Sequence, residues 1–407
     1  KKNSKNILLN GGIYSITRII EKASGFFIIP LYASYLGTDG FGIISLLSVI
    51  GSFYAVLVTQ GLNGSWGRLR FEETNRQGIH HLESTIIGYL LISSVIFLFF
   101  ITKYGQPLFT TITHGLEYSP IGLLTFTGVS ATIFIELLKR KFQIEERPIR
   151  FLILSLLVTV SGLLTTIYFV AYLERGALGK IEAACLISVV FSLISLLILK
   201  PKSPFILSKK RIMNSLAYGL PLVPHAIAGL ANDVADRLII THFLGFASTG
   251  IYSMGYQIAF VGTVIASSLN QALSPVFIKT MKQIESSEAT DTQNIENLKN
   301  EVTKNGLMLI VISGISCLMI TAYARNLLEL LTNNQFSDSW KIVPIVSAGI
   351  IATSVYFAFS QSIFYHKKSI RLLPVLTILT VLVNITGNYI FVPIYGIVGA
   401  AWSTVMS

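Results

Sequence analysis

The sequence predicts an all-α integral membrane protein, with about 12 transmembrane helices in two parallel six-helix bundles around a central cavity. Three observations carry that prediction. Only 13% of the 407 residues are charged, about half the roughly 25% of an ordinary soluble protein, and the mean hydropathy is +0.66. Apolar runs of about 20 residues recur along the chain, the length that crosses a ~30 Å hydrocarbon core. Lys and Arg fall mainly in alternate segments between those runs, the pattern that sets membrane topology.

The runs lie near 7–32, 41–61, 83–102, 119–138, 150–172, 182–199, 214–243, 249–275, 304–324, 342–364, 371–391 and 396 onward. The first follows a basic start, Lys1-Lys2-Asn3-Ser4-Lys5, and contains charges but no small-residue cleavage site, so it reads as a span and not a removable signal. With the N-terminus in the cytoplasm, 23 of the 31 Lys and Arg are cytoplasmic: at the N-terminus and in 68–76, 139–150, 200–211, 279–304 and 367–371. Only Lys103, Arg175, Lys180, Arg325 and Lys341 fall outside, and Arg18, Lys22 and Arg237 lie within spans. The net charge of +11 is therefore topology, and no nucleic-acid partner is expected. The last run, Gly396–Ser407, reaches only ~18 Å at about 1.5 Å per residue, so the chain is expected to stop inside its twelfth helix.

An internal repeat divides the chain into halves near 1–200 and 201–407. Leu36-Gly37 followed by Gly42-Ile43-Ile44-Ser45 recurs as Leu244-Gly245 followed by Gly250-Ile251-Tyr252-Ser253, and the Gly176–Gly179 string recurs as Gly396–Gly399. Six spans per half give both halves the same orientation, an arrangement typical of transporters.

Two spans carry charge where an insertion cost of roughly 2.5–3.5 kcal/mol per residue opposes it. Arg18, Glu21 and Lys22 stack at i, i+3, i+4 in the first, and Asp233, Asp236 and Arg237 repeat that spacing in the seventh. The first triplet is net positive and suits a diphosphate, since the Arg fork can bind two oxygens at once. The second is net negative and suits a coupling proton or ion. A set of structural ion pairs is the alternative for both. Pro221 and Pro224, beside His225, mark a kink or gate in the seventh helix. Gln60, Asn63, Asn270 and Gln271 are weaker candidates for sugar hydroxyls, with interhelical hydrogen bonds an equal explanation. Glu136 with Lys139-Arg140-Lys141 reads as solvated charge at a helix end. Cys185 and Cys317 lie far apart in apolar runs, and no metal-ligand spacing, phosphate loop or nucleophile elbow occurs, so neither metal nor cofactor is expected. The sequons at Asn63 and Asn384 fall at the cytoplasmic face or in a span and are discounted.

Several strings in order resemble the Wzx-type polysaccharide flippases of the multidrug/oligosaccharidyl-lipid/polysaccharide exporter superfamily. They are Asn10-Gly11-Gly12, Pro30-Leu31-Tyr32, Leu36-Gly37, Gly219-Leu220-Pro221-Leu222-Val223-Pro224, Asp236-Arg237, Leu244-Gly245 and Tyr395-Gly396-Ile397-Val398-Gly399-Ala400-Ala401. The resemblance implies a non-enzymatic flippase that moves undecaprenyl-diphosphate-linked oligosaccharide repeat units for O-antigen or capsule across a bacterial inner membrane. It implies alternating access with proton or sodium coupling, Arg18 and Lys22 at the diphosphate, and membrane lipid, a polymerase and a chain-length protein as partners. The competing readings are a multidrug exporter or peptidoglycan-precursor flippase of the same superfamily, and an integral-membrane sugar polymerase. The short outer loops disfavour the polymerase.

Overall fold

The computed structural model describes residues 2–73, 75–199, 208–286, 292–365 and 373–407, and among these no strand forms. Residues 200–207 of the predicted basic segment 200–211, and the whole of 367–371, lie outside the described residues. Nine helical stretches among the described residues are long and apolar enough to cross a membrane. Two of them are broken by a glycine at positive φ, Gly245 and Gly396, and so each supplies two segments. With the charged first helix added, the total is about 12, in agreement with the hydropathy pattern.

The chain forms two compact units, Lys1–Ala247 and Ser248–Ser407. In the first, α1 (Lys2–Phe27), α2 (Ile29–Tyr35), α3 (Gly37–Thr59) and α4 (Leu62–Glu72) lead into the long α5 (Arg76–Ile112). There follow α6 (Leu123–Ile144), α7 (Pro148–Ile167), α8 (Gly176–Leu199) and α9 (Lys209–Gly219), and the unit closes with the part of α10 (Leu222–Ser286) before the break at Gly245. Local chemistry sets the ends: Asn75 caps α5 by accepting from the Gly78 amide at 2.6 Å, Pro148 opens α7, and Ser208 caps α9. α6 lies against α3 and α8, α1 against α7, and α9 against α4. Trp66, Leu90, Phe134 and Leu138 are buried in the shared core. There the Tyr54 hydroxyl finds Ser130 Oγ at 3.0 Å, which satisfies both polar groups away from water.

The second unit holds the rest of α10, α11 (Thr292–Thr332), α12 (Val343–Tyr365) and α13 (Leu373–Met406). Its α13 folds back on itself after Gly396, and a buried amide network ties its two arms. Asn388 Nδ2 donates to Asn384 Oδ1 at 3.1 Å and to Ser403 Oγ at 3.2 Å, while Ser403 donates to the Asn384 carbonyl at 2.7 Å. Asn384 is fully buried.

The sequence repeat is also a repeat of backbone conformation. Gly37 and Gly245 take φ of 63° and 80°, and Gly176 and Gly396 take 56° and 63°, values that L side chains rarely adopt. Three residues beyond the second pair, a Cβ on Gly179 would meet the Phe169 carbonyl and one on Gly399 the Phe391 carbonyl. The matched strings thus place a glycine of left-handed conformation at corresponding points of the repeat.

Candidate functional site

The first-helix charges line a cavity of about 530 Å³ in the N-terminal unit. Arg18, Glu21 and Lys22 reach it from α1, Asn63 and Gly64 from the start of α4, and Glu136, Lys139, Arg140 and Gln143 from α6. The four α6 residues share one face because their spacing is i, i+3, i+4, i+7. Charge at the end of α6, predicted to be simply solvated, is therefore part of the cavity wall. The cause is tertiary: α1 and the start of α4 face this side of α6 across the cavity.

Lys139 organises the cavity. Its Nζ lies 2.8 Å from Glu21 Oε1 and 3.1 Å from Glu136 Oε1, with only 12% of the side chain exposed. One ammonium thus bridges both carboxylates and offsets one of their two negative charges, although desolvation alone would disfavour it. Arg18 and Arg140 form no ion pair with any described residue. Four cations and two carboxylates line the space, which leaves it electropositive.

A second cavity of about 490 Å³ adjoins the first, since Asn63 and Glu136 line both. Its walls, from α3, α6 and α8, are mostly apolar and studded with small hydroxyls, among them Ser48, Ser52, Thr59, Thr132 and Ser188. Ser48, Ser52 and Thr59 donate back to their own helix, so their free lone pairs are acceptors. Thr132 and Ser188 bond each other at 3.0 Å. At the junction, Asn63 Oδ1 is buried and accepts no hydrogen bond from any described residue, an orphan that a donor from a ligand would satisfy.

The other sequence candidates separate. Gln60 turns the α3–α4 corner at φ 49° and accepts from the Tyr89 hydroxyl at 2.5 Å, outside both cavity linings. On α10, Asp236 is buried; its Oδ1 accepts from the Arg237 amide at 2.8 Å and lies 3.6 Å from that guanidinium. Asp233 is exposed at its side chain, and neither aspartate lines the cavities around Arg18. The break in the seventh span falls between α9 and α10, at Leu220–Pro221, with Pro224 and His225 exposed in the first turn of α10. Asn270 lines a cleft of about 30 Å³ with residues of α11 and α12 in the second unit, and Gln271 is exposed.

This architecture defines a class, the multi-pass helical membrane proteins with the fold of the MOP-superfamily transporters. An inward-facing multidrug resistance MATE family transporter of that superfamily superposes with a TM-score of 0.63 at 15% identity, over 96% of this chain and 94% of the other. The lipid II flippase MurJ in an inward closed conformation gives 0.76 at 13% identity, over 97% and 84%. Residues 7–281 match the polysaccharide biosynthesis protein family, and the chain belongs to that family. "Lsg locus putative protein 1" of Haemophilus influenzae is 23% identical over 278 residues, 67% of this chain and 66% of that protein, just under two thirds of its length. An uncharacterized membrane protein of the same organism is 25% identical over 285 residues, 68% and 67% of the two chains.

Proposed function

We propose that the chain is a flippase that carries undecaprenyl-diphosphate-linked oligosaccharide repeat units across the bacterial inner membrane by alternating access. Arg18, Lys22 and Arg140 hold the diphosphate in the electropositive cavity. Asn63 and the hydroxyls of the adjoining cavity meet the first sugars. The observation that carries this reading is the pairing of Glu21 with Lys139. It offsets the one charge on α1 that would repel a phosphate and leaves two guanidiniums for it. A diphosphate cannot enter bare hydrocarbon, because even one small ion costs on the order of 20 kcal/mol in the Born limit. Paired Arg forks facing a polar cavity offset that cost.

In this reading the N-terminus is cytoplasmic, the halves near 1–200 and 201–407 move against each other, and a proton or sodium ion acts at Asp236 or Asp233. A polymerase and a chain-length protein receive the exported unit. A peptidoglycan-precursor flippase would use the same cations, so the lipid-linked sugar supplied in vitro separates the two.

The test is surface polysaccharide in a deletion strain. Arg18→Ala and Lys22→Ala each lower export by about tenfold, the value of a charged hydrogen bond, while membrane levels stay normal; Arg18→Lys is intermediate. Wild-type polysaccharide from the Arg18→Ala/Lys22→Ala double variant overturns the assignment.

A further inference from the structure

The opposite face of α6 borders another charged cavity that the proposed transport path does not use. It measures about 630 Å³ and is lined by Arg70 of α4, Arg76 and Glu83 of α5, Lys141 of α6, Glu145 just after it, and Arg147 and Arg150 at the start of α7. Five Lys and Arg face two carboxylates. Glu83, almost wholly buried, takes Arg70 at 2.6 Å and Lys141 at 3.0 Å. Glu145 takes Arg147 at 3.0 Å and Arg70 at 3.5 Å. Arg76 and Arg150 make no ion pair with any described residue and stand exposed at the rim. The carboxylates thus hold the inner cations rigid, and the positive excess is left at the mouth for a ligand.

The surroundings of the mouth indicate which ligand. Ile198 lines the cavity and heads an exposed apolar stripe down α8, through Ile194, Val190 and Leu186. Ile149, Ile153 and Leu157 form a matching exposed stripe on α7, and α7 packs against α8. The spacing i, i+4 continues each stripe along the helix axis, so an acyl chain could run along either from a headgroup at Arg76 and Arg150.

We propose that this cavity is a phosphate site for the headgroup of an anionic membrane lipid, separate from the transported substrate and separated from its cavity by α6. The shared chemistry is a phosphate bearing one or two negative charges; the adjacent apolar stripes favour the membrane lipid over a soluble phosphate as its source.

The full chain in phosphatidylcholine nanodiscs, doped with either a photo-crosslinkable phosphatidic acid or a photo-crosslinkable phosphatidylcholine of the same chain length, tests this. The phosphatidic acid label should mark peptides of α7 and α8 preferentially. The yield should fall roughly thirtyfold in Arg76→Gln/Arg150→Gln, from the surface attraction usual for two cations. It should recover in Arg76→Lys/Arg150→Lys and stay unchanged in Arg18→Gln/Arg140→Gln, which alters the other cavity. Equal labelling by the two lipids, or equal yield in the Arg76→Gln/Arg150→Gln variant, overturns the site. Protection of Arg76 and Arg150 from guanidine-directed reagents by inorganic pyrophosphate, without preferential phosphatidic acid labelling, overturns the lipid as its source.

Discussion

Gly61 and Gly219 meet backbone to backbone. A Cβ on Gly219 would lie 2.7 Å from the Gln60 carbonyl oxygen, and one on Gly61 would overlap the Gly219 carbonyl. The α3–α4 corner and the α9–α10 corner are thereby locked, with Arg68 over the Tyr218 ring at 4.8 Å and Arg211 2.6 Å from Glu73. Gly219→Ala should lower the thermal midpoint in detergent, and Gly61→Ala should lower it further, because its φ of +73° adds about 1–2 kcal/mol for any L side chain. Gly64→Ala, whose Cβ meets only Leu222 at 3.8 Å, should leave the midpoint unchanged. Equal midpoints for all three would mean that the corners separate freely.

Lys139 acts by bridging Glu21 and Glu136 with one shared cation. Lys139→Met should therefore reduce export more severely than Arg18→Ala, since it exposes two carboxylates to the phosphate as well as removing a cation. Glu21→Gln on that background should restore about tenfold of the loss, given roughly 1.4 kcal/mol per factor of ten. Lipid-linked sugar translocation in vesicles reads both effects, and the absence of any restoration would separate Lys139 from Glu21 functionally.

His114 and His242 join ring to ring, with Nε2 and Nδ1 3.1 Å apart. The contact ties the segment after α5 to α10, so amide exchange of residues 113–118, corrected for intrinsic rates, should be faster in His242→Phe than in the wild type. Equal exchange in the two would mean that the contact holds nothing in place.

On α10, Asp236 is buried against Arg237 while Asp233 is the more exposed of the two aspartates. Asp236→Asn should abolish the dependence of transport on an imposed proton gradient, and Asp233→Asn should weaken it only slightly. Vesicles with imposed pH and sodium gradients distinguish these; equal gradient dependence in wild type and Asp236→Asn would return the pair to a purely structural role.

The membrane character and the repeat were legible in the sequence because both are local. Hydropathy is a property of each run, and Gly37, Gly176, Gly245 and Gly396 mark turns that their own φ values require. Arg18 and Lys22 were legible for the same reason, as charges inside an apolar helix. The rest of the site was hidden because it depends on pairing across long separations. Lys139 meets Glu21 from 118 residues away, and Arg70 meets Glu145 from 75. Nothing near Lys139-Arg140-Lys141 in the sequence says which of the three faces which cavity. Glu83 carried no signal either, since its burial follows from how α4, α5 and α6 converge on it.

The run Lys139-Arg140-Lys141 divides its charges between two compartments by angle alone: Lys139 and Arg140 line one, Lys141 the other. Identical residue types are thus told apart only by helical phase. A single residue inserted after Leu138 would turn the end of α6 by about 100° and reassign its cations between the compartments, without altering the protein's net charge by a single unit if the insert were neutral. Drift in this part of the chain is therefore expected to tolerate Lys-for-Arg exchange far better than a change of length.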